Sequence, residues 1–305
     1  MSHDGIESLV AGGGVFITGA TGFVGKVVLE KVLRCVPSVK HVFLLIRPRK
    51  GCSAQQRLEV EILDSKIFDR LKRQVGVEGF RGLAQKLVAI AGDITHAGCG
   101  VSASDFEIMS LSVKVVFHCA ASIDFDERID RAMELNVHGP LRMLELAFKF
   151  PELKTFVHVS TCYVNSNRPG ETIEEKIYPL AFDPEQIISQ VAKMQVQDLE
   201  KVPFTGFLRE WPNTYTFTKN LAEYVVHSRF RKGNPRFTSH RLPIRKDGVG
   251  ARQSFFHGMM LMHAWIHPSL VSRRQRVIDC WQYTSRYIIR FKNCTSCLPI
   301  VNLSI

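Results

Sequence analysis

A glycine-rich turn between a strand and a helix constrains the fold of this chain more than any other feature. The stretch GGGVFITGATGFVGKVVLEKVLRCV predicts a strand from Val15 to Thr18, then a turn, then an amphipathic helix. Gly19, Gly22 and Gly25 stand three residues apart in the turn. Glycines here permit a tight turn, let a pyrophosphate approach the backbone and let strand and helix pack closely. The stretch therefore predicts a dinucleotide site.

Further strands and helices alternate through the first 235 residues. Four apolar runs are typical of strands buried on both faces: HVFLLIRPR, KLVAIAGDI, VKVVFHCAA and TFVHVSTCYV. Helical patterns run from Asp126 to Phe150 and from Pro184 to Leu199. This alternation predicts an α/β fold with a doubly wound parallel sheet of the Rossmann type. The segment from Arg168 to Pro212 is expected to form part of an insertion beside the carboxyl edge of the sheet.

The pattern changes near residue 235, so we predict a cofactor-binding domain in residues 1–235 and a divergent basic tail in residues 236–305. The tail carries nine of the eleven net positive charges and has no glutamate. Polar residues occupy its start, where the next buried strand is expected, which predicts a sheet that is incomplete on its C-terminal side. Cys294 and Cys297 have no second ligand pair at zinc-site spacing, so no metal site is predicted.

Composition narrows the class of protein. A chain of 305 residues that is 45% apolar can bury a large core, and it contains no run of 18 apolar residues, so no transmembrane segment is expected. The start, MSHDGIESLV, lacks the basic region of a secretory signal, and eight irregularly spaced cysteines predict reduced thiols inside a cell. Because the positive charge is concentrated in the tail, a nucleic-acid partner is not predicted.

The cofactor contacts are predicted in the turn and at the ends of the second and third strands. Those in the turn are Thr18, Gly19, Thr21, Gly22, Phe23, Val24 and Gly25. Arg47 follows the second strand, where a cation suits the 2'-phosphate of NADP(H) better than the ribose of NAD; a solvated basic loop is the alternative. Asp93 and Ile94 end the third strand. The Asp93 carboxylate could accept from the adenine amino group or cap a helix.

Tyr215 and Lys219 are predicted to form an acid and its tuning group. A tyrosine has a pKa near 10, so it exchanges protons poorly at neutral pH unless a cation stabilises the phenolate. Lys219 lies one helical turn beyond Tyr215, on the same face, and could also hold the nicotinamide ribose.

Three further polar residues are candidates for the same site. Ser160 and Thr161 end the fifth strand, where a hydroxyl could either bind a developing oxyanion or cap the strand end. Asn136 lies within a helix, where its amide is either functional or part of buried core hydrogen bonding.

Five phrases in this order and spacing resemble the fatty acyl-CoA reductases, a branch of the extended short-chain dehydrogenase/reductases: TGATGFVGK, FHCAASIDFDE, ELNVHGP, HVSTCYVN and PNTYTFTKNLAEYVV. The resemblance covers about Gly12 to Asn234. It implies NADPH-dependent reduction of a long-chain acyl-CoA to the alcohol through a bound aldehyde. It also implies a peroxisomal or endoplasmic reticulum membrane location.

Residue roles follow from the resemblance by position. Tyr215 would be the proton donor, and Lys219 its pKa-lowering and ribose-binding partner. Thr161, with Ser160 beside it, would orient the carbonyl. Asn136 would support the lysine and a proton-relay water.

The chain departs from the family after about residue 235. The family continues with a strand of the type VxIxRPSxV and a helical C-terminal domain, whereas this chain continues as the basic tail, as a truncated or altered form would. Two alternatives to an active reductase therefore stay open: a catalytically impaired NADP-binding isoform, and a reductase or epimerase of another substrate in the same superfamily.

Overall fold

The computed structural model describes residues 9–171, 173–174, 176–202, 206–233, 238–241 and 297–301, the last two segments and residues 230–233 by their backbone alone. A parallel sheet forms the centre of the molecule. Its strands are β1 Gly14–Thr18, β2 His41–Ile46, β3 Leu87–Ala91, β4 Val113–His118, β5 Thr155–Val159, β6 Thr238–Arg241 and β7 Cys297–Val301.

The strand order is β3-β2-β1-β4-β5-β7-β6. The order reverses between β1 and β4, so a crevice opens at the carboxyl ends of these two strands, where ligands of open α/β sheets bind. All five residues of β1 are buried, as expected for a strand covered by helices on both faces. The predicted doubly wound sheet and its five strands are confirmed.

Two short strands, β6 and β7, were not predicted. They extend the sheet beyond β5, with β6 at the edge. Because an edge strand need not be apolar on both faces, the polar sequence of β6 did not indicate a strand. Pro299 weakens the strand pattern of β7. The cysteine pair noted in the tail includes Cys294, which lies outside the described residues. The domain boundary near residue 235 stays a prediction.

Helices cover both faces of the sheet. They are α1 Phe23–Cys35, α2 Ala54–Arg57, α3 Asp69–Ala84, α4 Ala103–Ser110, α5 Ile129–Met133, α6 Gly139–Ala147, α7 Pro184–Lys193, α8 Val196–Leu199 and α9 Thr214–Gly233. A π-helical turn, Glu134–His138, joins α5 to α6, so the helix predicted over residues 126–150 is confirmed in slightly shorter form. Among the helices of the described ranges, none has the length and apolar character needed to cross a bilayer.

An apolar cluster beside α9 fixes the position of that helix. Phe217 and Leu221 of α9 are fully buried and pack with Ile187 of α7 and with Trp211. The indole Nε1 of Trp211 donates to the carbonyl of Val164 at 3.0 Å, just after β5. The segment before α9 therefore holds the start of this helix against the carboxyl edge of the sheet.

Candidate active site

Packing restricts two of the three glycines in the turn strongly and the third only weakly. A Cβ added at Gly19, which has a φ of +71°, would lie 2.7 Å from the backbone nitrogen of Ala120. A Cβ at Gly25 would overlap the Gly19 carbonyl oxygen. At Gly22 the nearest atom is that same oxygen, at 3.3 Å. Gly22 is exposed at the mouth of the turn, and packing restricts it least of the three glycines.

The N-terminus of α1 is suited to an anion. Gly22 is its N-cap, no side chain caps it, and no acidic residue lies in its first turn. The first N–H groups of a helix have no intrahelical partner and carry partial positive charge. A pyrophosphate at Gly22 would meet these groups without a Cβ in the way, so the turn fits the predicted dinucleotide.

The neighbouring turn residues differ in what they offer to a ligand. Thr21 is partly exposed and Phe23 is 49% exposed beside the turn, whereas Val24 packs against the core. The Thr18 hydroxyl is buried, lies 2.8 Å from Nδ1 of His118 and accepts from the Ala120 N–H at 3.2 Å. A contact from Thr18 to a cofactor would therefore come from its backbone.

Arg47 and Asp93 meet at the ends of β2 and β3. Arg47 is 61% exposed, and its Nη1 lies 3.5 Å from Oδ2 of Asp93. Oδ1 of Asp93 accepts from the backbone N–H and the hydroxyl of Thr95, at 3.0 and 2.9 Å. Burial raises the pKa of Asp93, but the Thr95 hydrogen bonds and the Arg47 charge outweigh it, so the pKa lies below its ordinary value.

The Asp93 carboxylate therefore makes a local turn and is not a helix cap. The next α-helix, α4, is capped by Ser102. Ile94 is buried, and its side chain packs so close to Gly139 that a Cβ added there would lie 2.7 Å from it. The Ile94 carbonyl accepts from Arg142 at 3.2 Å. Of this predicted pair, Asp93 has the more accessible side chain.

Tyr215 and Thr161 are brought together. Asn213 starts α9 by accepting from the Thr216 N–H at 2.9 Å, which places Tyr215 in the first turn. Tyr215 is buried and its side chain hydrogen-bonds to Thr161. Burial raises the pKa of Tyr215; the Thr161 hydrogen bond lowers it in part, and the neighbouring Cys162 adds to the rise. The phenol is therefore neutral and holds its proton at neutral pH.

Ser160 lies beside this pair but does not join it. Its side chain is buried, and its hydroxyl has no hydrogen-bond partner within the part of the chain that the structure describes. Thr161, not Ser160, is therefore the hydroxyl paired with Tyr215.

Lys219 is 2% exposed and held by β5. Its Nζ donates to the carbonyl of Val159 at 2.7 Å and lies 3.4 Å from Nε2 of His158. Burial lowers its pKa to about 8, against smaller opposing effects of Glu223 and Cys119. The ammonium form therefore prevails at neutral pH.

Burial raises the pKa of Tyr215, the Thr161 hydrogen bond opposes this shift, and Cys162 adds to it. The ammonium group of Lys219 is directed to the Val159 carbonyl. That Lys219 lowers the pKa of Tyr215 stays a prediction.

Asn136 ties the loop after β4 to α9. It lies in the π-helical turn, a distortion that often occurs at functional sites. Its Oδ1 accepts from the Ser122 N–H at 2.8 Å, and its Nδ2 donates to the Ser122 carbonyl and to Thr218, both at 3.1 Å. These contacts are the buried core hydrogen bonding that was one of the two alternatives for Asn136, and a functional role of its amide stays a prediction.

Sequence reasoning missed three residues around the site. Phe125 stacks on Tyr215, and the histidines His118 and His158 lie beneath Lys219. A signal for the histidines was present, because each interrupts an apolar run that was itself predicted to be a buried strand. A histidine inside such a strand needs a polar partner.

Comparisons with known proteins show which family the chain resembles. The Male sterility protein family matches residues 17–291. Fatty acyl-CoA reductase 2 of Homo sapiens is 36% identical over 229 residues, which are 75% of this chain and 43% of that protein. Fatty acyl-CoA reductase 1 of Xenopus laevis is 39% identical over 229 residues, with the same two shares. The chain thus spans less than half the length of these curated relatives.

A solved structure supports the fold. The terminal R domain from the myxalamid PKS-NRPS biosynthetic pathway is 25% identical with a TM-score of 0.50, over 74% of this chain and 50% of that one. The resemblance to fatty acyl-CoA reductases is confirmed. Because the family model matches residues 17–291, the chain belongs to the Male sterility protein family.

Proposed function

We propose that this protein reduces fatty acyl-CoA thioesters with NADPH. One observation carries the proposal: the Tyr215 hydroxyl is paired with the Thr161 hydroxyl, at the carboxyl edge of the sheet that also bears the glycine turn. Two hydroxyls side by side can meet one carbonyl oxygen, one as proton donor and the other as a second hydrogen bond. The curated relatives named fatty acyl-CoA reductases support a thioester as the substrate.

The chain's own residues account for proton transfer. When bound, NADPH supplies hydride to the carbonyl carbon. Tyr215, neutral because of its burial, gives its proton to the oxygen as that oxygen gains charge, and Thr161 stabilises the same oxygen. Breaking the carbon–sulfur bond then releases the CoA thiol and leaves an aldehyde. After Tyr215 is reprotonated from solvent, the same residues act in a second reduction that yields the alcohol.

Two further features favour this substrate and cofactor. Arg47 is exposed at the end of β2, where its charge would meet a 2'-phosphate, which favours NADPH. Phe23, the first residue of α1, and Ile123, in the loop after β4, are exposed apolar residues at the carboxyl edge of the sheet. Exposed apolar side chains beside a polar site favour a substrate with a hydrocarbon chain.

Incubation of the purified protein with NADPH and palmitoyl-CoA tests the proposal. We expect NADPH oxidation, release of free CoA thiol, and a fatty alcohol by mass spectrometry, with two NADPH consumed per thiol. An aldehyde as the final product would restrict the proposal to the first reduction. Binding of NADPH and acyl-CoA without turnover would instead identify the catalytically impaired isoform. Stabilisation by a nucleotide-sugar but not by acyl-CoA in a thermal-shift assay would favour another substrate.

A further inference from the structure

Two buried histidines face each other beneath Lys219. His118 on β4 and His158 on β5 are paired in the register of the sheet, and their rings stack with centroids 5.6 Å apart and planes 19° apart. Both side chains are almost completely inaccessible to solvent. Burial lowers the pKa of His118 to about 3, and burial together with the Lys219 charge lowers that of His158 well below its ordinary value. Both rings are therefore neutral.

The pair connects the two functional parts of the site. Nδ1 of His118 lies 2.8 Å from the hydroxyl of Thr18, where β1 enters the glycine turn. Nε2 of His158 lies 3.4 Å from Nζ of Lys219 on α9. A continuous buried path of polar and stacked groups thus runs from the cofactor turn to the lysine.

The lysine determines the proton position on His158. An ammonium group has three N–H donors and no acceptor, so Nε2 of His158 must accept and the ring proton must be on Nδ1. One Lys219 donor goes to the Val159 carbonyl and a second is directed at His158. The third makes no hydrogen bond within the part of the chain that the structure describes.

Each histidine destabilises the fold in a way that a phenylalanine at the same place would not. Nδ1 of His158 and Nε2 of His118 are buried and have no hydrogen-bond partner among the described residues. Unpartnered buried polar atoms destabilise a fold, whereas an apolar ring would fill the space without that penalty. A role in stability alone therefore does not account for His158, and its contact with Lys219 does.

We propose that His158 is a positioning residue for Lys219: its neutral ring accepts from the ammonium group and, with the Val159 carbonyl, directs the third N–H toward the cofactor. His118 supports the ring by stacking and joins it to the glycine turn. Any effect of His158 on catalysis rests on the proposed function. The contact between His158 and Lys219, and its effect on cofactor affinity, are independent of the proposed function.

Nuclear magnetic resonance of the wild-type protein, labelled with ¹⁵N at histidine, tests the contact without any activity. We expect His158, assigned from the signal lost in His158→Phe or His158→Gln, to show the Nδ1–H tautomer at neutral pH. Free neutral histidine favours the Nε2–H tautomer, so the result is not trivial. An Nε2–H tautomer or a charged ring at His158 would overturn the proposal.

Titration with NADPH alone tests the consequence. His158→Phe, which keeps the ring but removes the acceptor, should weaken NADPH binding about tenfold, as loss of one charged hydrogen bond would. His158→Gln, which restores an acceptor, should recover most of the affinity. Thr155→Val is the matched control, a buried polar-to-apolar change on the same strand, and should change affinity less than about twofold.

Thermal unfolding of each variant shows whether it is folded. Wild-type affinity in a folded His158→Phe, or equal losses in His158→Phe and Thr155→Val, would contradict the proposal. A wild-type protein that binds NADPH but reduces no acyl-CoA would disprove the proposed function and leave the role of His158 testable by this titration.

Discussion

The ring of Phe125 stacks on the ring of Tyr215, with centroids 5.4 Å apart and planes inclined by 26°. Phe125 lies in the loop after β4, and its carbonyl accepts from the hydroxyl of Thr214, the first residue of α9, at 3.3 Å. The stack and the Thr161 hydrogen bond together set the direction of the phenol. The position of this acid therefore depends on two loops and a helix.

Tyr215→Phe should separate cofactor binding from chemistry. The new ring keeps the stack on Phe125 but has no proton to give, so turnover should fall about 100-fold or more while NADPH affinity stays unchanged. Steady-state kinetics with palmitoyl-CoA and NADPH titration measure the two effects. Tyr224→Phe, on the same helix, is the control and should retain turnover. Wild-type turnover in Tyr215→Phe would remove Tyr215 from the mechanism.

Thr161→Val should both slow the reaction and move its pH profile. The Thr161 hydrogen bond lowers the pKa of Tyr215, so its loss should raise that pKa and shift the alkaline limb of turnover to higher pH. Turnover below that limb should fall about 10- to 100-fold through loss of a hydrogen bond to the oxyanion. Thr161→Ser should restore both properties. An unmoved alkaline limb in Thr161→Val would show that the two hydroxyls are not coupled.

Substitutions in the glycine turn should affect different properties. Gly22→Val should abolish NADPH binding and leave the fold intact, because the new side chain meets only the Gly19 carbonyl, at 3.3 Å, and otherwise fills the pyrophosphate space. Gly25→Ala should destabilise the fold itself, by about 1 to 3 kcal/mol, because its Cβ would overlap that carbonyl. Chemical denaturation and NADPH titration distinguish the two. Full NADPH binding by a folded Gly22→Val would show that the turn is only structural.

Arg47→Ala should remove the preference for NADPH over NADH. A charged hydrogen bond to the 2'-phosphate contributes about 1.5 to 3 kcal/mol, so NADPH affinity should fall roughly 10- to 100-fold while NADH affinity changes little. Calorimetric titration of both cofactors measures the ratio. Arg81→Ala, an exposed arginine on α3, is the control. An unchanged ratio in Arg47→Ala would assign the preference to other residues.

Lys219 should make stability depend on pH. Its pKa is about 8 in the folded chain against an ordinary value of 10.5, so between these two pH values the unfolded chain binds more protons. The free energy of unfolding should therefore rise with pH across this window, by about 3 kcal/mol, and this rise should be absent below about pH 8. Urea unfolding of wild type and Lys219→Met isolates the effect. Parallel pH curves for the two proteins would mean that the lysine is not buried as a cation.

Local patterns were enough to predict much of the fold and part of the site. Short apolar runs indicated β1 to β5, because a strand that is buried on both faces consists of consecutive apolar residues. The glycine spacing indicated the turn, since Gly22 and Gly25 both pack near Gly19, only a few residues away, whereas the distant contact of Gly19 with Ala120 was not readable from the spacing. Tyr215 and Lys219 were predicted on one helical face, because a separation of four residues suffices for that.

Contacts between distant segments could be settled only by the tertiary structure. The Thr18–His118 hydrogen bond joins residues 100 positions apart, and the contact between His158 and Lys219 spans 61. No local pattern encodes such pairs.

Burial, likewise, is a property of the packed molecule and not of the peptide, so the direction of each pKa shift had to come from the fold. The sequence by itself determined that this protein carries a glycine turn between a strand and a helix, and a later helix with Tyr215 and Lys219 on one face. Only the tertiary structure decided that the lysine is held by β5 and that the acid is paired with Thr161, because both depend on which groups packing places within hydrogen-bond distance.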